Sequence, residues 1–197
     1  MSDSTRDTTK AGSKNLPRFA VLQLSGCAGC EVSLLNAGEW VDQYRLVYMP
    51  LVISTYDVPK VEILFVSGGV RTDEDMYNLR RAARHAQQVI PVGTCAISGG
   101  VASLGDRDEV REVFIDQIGR RHVPRLLPKC HPIDVVIPVD RYLPGCPPTP
   151  ELFMQMLFPS PDFEAAKIVC QECGRKKLRD MRPMHLLGFQ QGQVLAD

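Results

Sequence analysis

The sequence has no excess of either charge, no long apolar run and no recognisable export signal. Its 197 residues include 23 Lys and Arg against 23 Asp and Glu, so it offers no broad basic field for nucleic acid or an anionic membrane. No apolar run approaches the roughly 18 residues of a membrane span, and residues 1–15 lack the apolar core of a signal peptide. We therefore predict a cytoplasmic protein with no nucleic-acid partner and no membrane insertion.

The cysteine pattern of a disulfide-stabilised protein is also missing. The seven cysteines are an odd number, and a chain of 197 residues can build a core without covalent links. In a reducing compartment, thiols more often serve metal or redox chemistry. The cysteines are therefore the first candidates for a functional site.

Short apolar runs alternate with helix-like segments along the chain. Thr72, with Asp75 three positions later, is typical of a capping box at a helix start. Strands alternating with helices predict an α/β protein with an open parallel sheet and helices on both faces. The predicted strands are 18–26, 45–54, 61–69, 88–93 and 134–139, and the predicted helices are 31–44, 72–86, 106–118 and one from residue 150 onward.

Composition divides the chain into three parts. Residues 1–15 are polar and are predicted to form a disordered tail. Residues 16–160 carry the strand and helix pattern and are predicted to form one domain. Residues 161–197 lack a strand pattern, so we expect a C-terminal extension that packs on the domain or on a partner.

Four cysteines follow predicted strands. Because the carboxyl ends of parallel strands lie along one edge, their thiols can converge there. Four thiolates suit zinc or an iron-sulfur cluster. Structural zinc sites usually contain two CxxC pairs, whereas the four cysteines that follow strands include one such pair. A cluster is therefore favoured. The alternative is that Cys95 and Cys146 are ordinary buried thiols. The four candidates are Cys27 and Cys30 after the first strand, Cys95 after the strand 88–93 and Cys146 after the strand 134–139.

The segments around these cysteines resemble a known family. CAGCEVSLL, VGTCAISGGV and PGCPPTPE are similar to the three cysteine motifs of the small subunit of nickel-iron hydrogenases, and the short length resembles the cytoplasmic NAD-reducing type. The resemblance covers residues 19–158 and implies a flavodoxin-like fold with a cluster at the carboxyl edge of the strands. It implies that one [4Fe-4S] cluster, proximal to a nickel-iron site on a large partner subunit, is held by Cys27, Cys30, Cys95 and Cys146.

The function that the resemblance implies is electron relay in a hydrogenase. Electrons from hydrogen oxidation on the large subunit would pass through the cluster toward flavin and NAD on diaphorase partner subunits. The cluster subunit of respiratory complex I is a related alternative, but its first motif has adjacent cysteines, so the two-residue spacing of CAGC favours a hydrogenase. Glu31 is a candidate for a proton path or an interface, although a solvated carboxylate in a first helical turn is the preferred interpretation.

Two other functions and one other site remain open. SGCAG could be the phosphate loop of an FMN-binding flavodoxin-like module, although it offers a hydroxyl at Ser25 alone. A zinc-stabilised interaction protein is the third possibility. A second metal site could form from Cys170 and Cys173 with Cys130 and His131 or His185, but we prefer a reduced thiol pair that stabilises the C-terminal tail.

Overall fold

A parallel sheet lies at the centre of the protein. The computed structural model describes residues 16–53, 55–110, 112 and 124–159, all within the first of two compact units, Met1–Phe163. The second unit, Glu164–Asp197, lies outside the described residues, as do the predicted tail 1–15 and Cys170, Cys173 and His185. The strands are β1 (Arg18–Gln23), β2 (Arg45–Tyr48), β3 (Val61–Ser67), β4 (Val70–Thr72), β5 (Ala86–Val92) and β6 (Leu126–His131).

Four of these strands form the sheet in the order β2-β1-β3-β5, and every neighbouring pair is parallel. This is the order of the first four strands of a flavodoxin-like sheet. β1 and β3 are buried along almost their whole length, as expected for strands covered on both faces. The predicted flavodoxin-like architecture is therefore confirmed, and β4 and β6 add a separate antiparallel pair.

The prediction of a fifth strand at 134–139 is wrong. Its first residues belong to a short helix that follows Pro132 and buries Ile133 completely, so packing overrides the strand preference of the valines. An extended segment slightly further on takes the fifth position instead. Its Asp140 and Leu143 N–H groups donate to β5 carbonyls at 2.9 and 3.0 Å, and Leu143 forms an isolated parallel bridge with Val92.

The helices are α1 (Gly29–Asn36), α2 (Asp73–Ala83), α3 (Gly93–Ser98), α4 (Ile133–Val136) and α5 (Pro150–Leu157). The capping box of α2 is confirmed, since the Thr72 and Asp75 side chains each accept a hydrogen bond from the other's backbone N–H. The predicted helix 31–44 ends at Asn36 because Ala37 is extended, and a 3-10 turn follows at Glu39–Asp42.

The predicted helix 106–118 is described only in part. A 3-10 helix occupies Gly100–Asp106 and residues 108–110 are helical, whereas residues 113–123 lie outside the described residues.

Side chains alternate between two cores, one on each face of the sheet. Phe19, Val21 and Phe65 pack beneath α1 and α5, and Phe153 of α5 meets Phe65 edge to face with ring centroids 5.9 Å apart. Ala20, Leu22 and Leu64 face α2 on the other side, with Leu79 of α2 buried against them. Helices on both faces are thus confirmed. Within the described ranges, no helix is long and apolar enough to cross a membrane.

Replacing Phe153 by alanine tests the core under α5. Phe153 is 1% exposed, so Phe153→Ala is expected to lower the free energy of unfolding by about 3–5 kcal/mol through lost burial and the cavity left behind. The change is measured by urea unfolding, followed by the fluorescence of Trp40, the single tryptophan of the chain.

Tyr77→Ala on α2 is the matched control because Tyr77 is 63% exposed, and it should change stability by no more than about 0.5 kcal/mol. Equal losses for the two variants would contradict the assignment of Phe153 to the core.

Candidate functional site

A cavity of about 80 Å³ opens at the carboxyl edge of the sheet, and all four candidate cysteines line it. Its walls come from the turns that follow β1, β3 and β5 and from the loop before α5. The structure therefore brings together thiols from three separate stretches of the sequence. Cys27 and Cys146 are exposed, whereas Cys30 and Cys95 are half-buried.

The CAGC turn is fixed to the strand next to it. Ser25 and Gly69 exchange backbone hydrogen bonds of 3.2 and 2.9 Å, which form an isolated antiparallel bridge just beyond the ends of the parallel strands β1 and β3. The chain then reverses through Ala28, whose φ of 61° lies in the left-handed region. As a result Cys27 precedes α1 and Cys30 lies in its first turn.

Cys95 lies in a short helix. α3 begins at Gly93, directly after β5. Gly93 has a φ of +80°, and a Cβ there would lie 2.6 Å from Cys30 Sγ. Glycine is therefore required at this position both by backbone conformation and by the close approach of the second thiol.

Cys146 reaches the cavity by a route that the sequence did not predict. The extended segment 140–143 runs beside β5 and ends at the same edge of the sheet. The loop that follows is held on two sides, because the Thr94 N–H donates to Gly145 O at 2.8 Å and the Ser33 hydroxyl donates to Pro148 O at 2.5 Å. Cys146 thus lies at the same edge as the other thiols, although the strand that was predicted to carry it there is absent.

The other three thiols lie near enough to Cys30 to affect its ionisation. Burial is the largest of the causes that raise the pKa of the Cys30 thiol to about 12. The further causes are the charges of Glu31, Cys27, Cys95 and Cys146. Neighbouring thiolates repel, so Cys30 keeps its proton unless cations at the site compensate the charge.

The donor set fits an iron-sulfur cluster. Thiolates are the protein ligands of such clusters, and the glycine at position 93 leaves room for the backbone to approach the sulfur atoms. A single zinc ion would instead draw four sulfur atoms to about 2.3 Å from one point. No three His, Cys, Asp or Glu side chains in the described part of the chain are spaced to hold one ion in that way.

Glu31 is not solvated, which corrects the preferred interpretation of this residue. It is 1% exposed, lies in the wall of the cavity and accepts a hydrogen bond from the Ser67 hydroxyl. The sequence reasoning missed Ser67, which is 4% exposed. The signal that could have revealed it is a polar residue at the end of the strand VEILFVS, directly after four apolar residues.

The SGCAG loop does not offer its serine to a phosphate. The Ser25 hydroxyl donates to Asp75 Oδ2 at 2.8 Å, and the Ser25 N–H is paired with Gly69 O. The same Asp75 oxygen accepts the backbone N–H groups of Arg71 and Thr72, both at 2.9 Å. The polar groups that an FMN phosphate would need from Ser25 are therefore already engaged by the protein itself.

Cys130 lies behind this site rather than in it. The residue is 7% exposed, and burial is the largest cause that raises the pKa of its thiol. A Cβ on Gly69 would lie 2.5 Å from Cys130 Sγ, so the thiol packs directly against that glycine. The predicted thiol pair Cys170–Cys173 lies outside the described residues, so both that prediction and its alternative, a second metal site with Cys130, stay untested.

Comparison with known proteins places the chain in a family. Residues 27–159 match the family model described as NADH ubiquinone oxidoreductase, 20 Kd subunit. Because the match spans well over half of the sequence, the chain belongs to this family. The match begins at Cys27 and includes all four cysteines that line the cavity.

Hydrogenase subunits are among its curated relatives. A subunit of the vhu F420-non-reducing hydrogenase of Methanococcus voltae is 30% identical over 184 residues, a match of 81% of this chain and 63% of that protein. The delta subunit of the NAD-reducing hydrogenase HoxS of Cupriavidus necator is 28% identical over 159 residues, covering 71% of this chain and 76% of its own length. The chain thus spans less than two thirds of the length of the first of these relatives.

The fold is shared with hydrogenases of known structure. A chain in the structure of an NAD+-reducing [NiFe]-hydrogenase in the H2-reduced state is 29% identical, with a TM-score of 0.66 over 72% of this chain and 89% of that one. The Ni-Fe-Se hydrogenase of Desulfomicrobium baculatum, at 21% identity and a TM-score of 0.50, shows the fold alone. The resemblance to hydrogenase small subunits is therefore confirmed.

The glycine that separates Cys30 from α3 should be indispensable. Gly93→Ala places a methyl group 2.6 Å from Cys30 Sγ at a φ of +80°, so we expect it to cost at least about 1 kcal/mol of stability from the left-handed backbone alone. It should also reduce the iron retained after anaerobic reconstitution with iron and sulfide. Unfolding and iron content are measured on the same preparations.

Gly38→Ala is the matched control, because nothing lies within 4 Å of a Cβ there and its φ is −82°. It should leave iron content unchanged. Equal iron content in the Gly93→Ala and wild-type chains would show that the close approach of Gly93 and Cys30 does not matter for the site.

Proposed function

We propose that this chain is the electron-transfer subunit of a nickel-iron hydrogenase and holds one [4Fe-4S] cluster. The observation that carries the proposal is the convergence of four thiols from three distant stretches of sequence on one cavity at the sheet edge. The proposed ligands are Cys27, Cys30, Cys95 and Cys146. The cluster would supply one-electron transfer at this edge.

The inner and outer sides of the cavity have different roles in this proposal. The half-buried Cys30 and Cys95 hold the inner side and limit contact with water, which is one of the levers that set a cluster potential. The exposed Cys27 and Cys146 leave the outer side open at the surface. A large subunit carrying the nickel-iron site would cover that side and bring its metals within electron-transfer reach.

Glu31 is proposed as a proton-path residue at the same boundary. Its carboxyl group is buried in the cavity wall and hydrogen-bonded to Ser67, which places a proton-exchanging group between the thiols and the end of β3.

NAD is the electron acceptor that we propose, reached through flavin and iron-sulfur clusters on diaphorase partner subunits. Support comes from the similarity to a chain of an NAD+-reducing [NiFe]-hydrogenase, of which 89% is covered. The relative from Methanococcus voltae, which belongs to an F420-non-reducing hydrogenase and has similar identity, favours a different acceptor as the second candidate. We further propose a cytoplasmic location, an iron-sulfur domain at residues 16–160 and an extension at 161–197 that packs on the domain or a partner.

Single cysteine substitutions distinguish the proposed ligands from cysteines that do not bind the cluster. Anaerobically purified wild-type chain is expected to be brown and to contain about four iron atoms and four sulfides. Cys95→Ser should lose most of the visible absorption and the EPR signal of the reduced cluster. Cys130→Ser is the control, since this thiol is buried but does not line the cavity, and it should keep both.

A normal cluster in Cys95→Ser would contradict the ligand assignment. A yellow chain with bound flavin, or a colourless one with zinc, would contradict the proposed cofactor altogether.

Activity should require partner subunits. The chain alone is not expected to reduce NAD+, because its sequence has no GxGxxG motif after a strand for a dinucleotide. It is not expected to oxidise hydrogen either, because the nickel-iron site is proposed to lie on the large subunit. The complex isolated through a tag on this chain should reduce NAD+ with hydrogen. Dye reduction with hydrogen by the isolated chain would contradict the relay function, and a complex that reduces dyes but not NAD+ would contradict the proposed acceptor.

A further inference from the structure

An ion pair behind Cys95 joins three segments of the chain. Arg71 in β4 contacts the carboxylate of Asp106, the last residue of the 3-10 helix Gly100–Asp106. The Arg71 guanidinium also donates to the carbonyl oxygen of Gly105. Both oxygens of Asp106 accept the backbone N–H of Cys130 in β6, at 2.9 and 3.1 Å. The two charged side chains are 11% and 24% exposed.

The other end of the 3-10 helix lies directly against Cys95. The Gly99 N–H donates to Cys95 O at 2.9 Å and ends α3. A Cβ on Gly100 would lie 2.9 Å from Cys95 Cα and 3.0 Å from its Sγ, so the backbone at Gly100 touches the thiol residue. A shift of this segment would therefore press on the residue whose thiol helps to line the cavity.

Cys95 is confined on its other side as well. Gly69 lies between β3 and β4, and a Cβ there would be 3.3 Å from Cys95 O and 2.5 Å from Cys130 Sγ. Cys95 is thus enclosed between Gly100 on one side and the Gly69 backbone on the other. The Arg71–Asp106 pair connects the two sides, because Arg71 follows Gly69 by two residues and Asp106 ends the segment that begins at Gly100.

We propose that Arg71 and Asp106 are positioning residues for the Cys95 thiolate, an inference that rests on the proposed cluster site. Neither side chain lines the cavity, so both act through the backbone. Removing either partner leaves a largely buried charge uncompensated, and loss of the Asp106 carboxylate also weakens the acceptor of the Cys130 N–H. The 3-10 helix then separates from β4, and Cys95 Sγ moves with it.

A matched ion pair elsewhere controls for the loss of charge alone. Arg81 contacts Asp57 with side chains that are 47% and 54% exposed, and neither residue lines the cavity. Arg81→Gln removes the same charge as Arg71→Gln. It should leave the cluster unaffected, because the pair it breaks is solvated and holds no segment next to a ligand.

The test compares full-length wild type, Arg71→Gln, Arg71→Lys, Asp106→Asn and Arg81→Gln after anaerobic reconstitution with iron and sulfide. Iron release to a chelator is timed well below the unfolding temperature, and the reduced cluster is examined by EPR and by redox titration. We expect Arg71→Gln and Asp106→Asn to release iron about 10-fold faster, the size usual for an outer-shell partner, with shifted g values. Arg71→Lys, which keeps the charge but lacks the fork that also reaches Gly105 O, should fall between them and wild type.

The possible results test this inference separately from the proposed function. A wild-type chain that binds no cluster would overturn the proposed function. If wild type holds its cluster while Arg71→Gln and Asp106→Asn match it in release rate and g values, the positioning role is wrong, even if both unfold at lower temperature. If neither Arg71→Gln nor Asp106→Asn folds, Arg71→Lys decides alone, and iron release at the wild-type rate from Arg71→Lys would overturn the inference.

Discussion

The backbone pairing of β1 with β3 determines where the cavity forms. It runs in parallel register from Phe19↔Ile63 to Gln23↔Ser67, and an antiparallel bridge between Ser25 and Gly69 joins the two segments just past the ends of both strands. The position and direction of the CAGC turn at the sheet edge are therefore fixed. Gly68, with a φ of +78°, is pressed against the Leu24–Ser25 backbone, where a Cβ would lie 2.7 Å from Leu24 C. A larger residue there would push the turn away from the neighbouring loops and open the cavity.

The features that the sequence predicted correctly are those set by residues close together in the chain. The apolar run of β1 and the Thr72–Asp75 capping box appear in the structure as predicted, because both are patterns of residues close in sequence that the fold keeps. The run DVVIPV was misleading, since the burial of Ile133 in the core decides its conformation and no local pattern shows that contact. Cys146 still reaches the predicted edge because residues 140–143 bond to β5 in the place of the missing strand.

Long-range contacts explain what the sequence left hidden. Glu31 reads as a solvated first-turn carboxylate, and its burial becomes visible only when α1 is placed over Ser67. Arg71 and Asp106 lie far apart in the chain, and nothing in their neighbours indicates that they meet. The inner wall of the cavity combines the Cys30 thiol, whose pKa is about 12, with the buried carboxyl group of Glu31. Such a wall tolerates negative charge only when cations lie in the cavity.

The loop that carries Cys146 is fastened both to α1, through Ser33, and to α3, through Thr94. These bonds exist only when all three segments are in place, so the four thiols face one another only in a chain that is folded through Pro148. During synthesis, Cys27 and Cys30 emerge from the ribosome long before Cys146. A nascent chain can offer at most a partial set of thiols, and the proposed cluster would therefore be inserted after the domain has been translated.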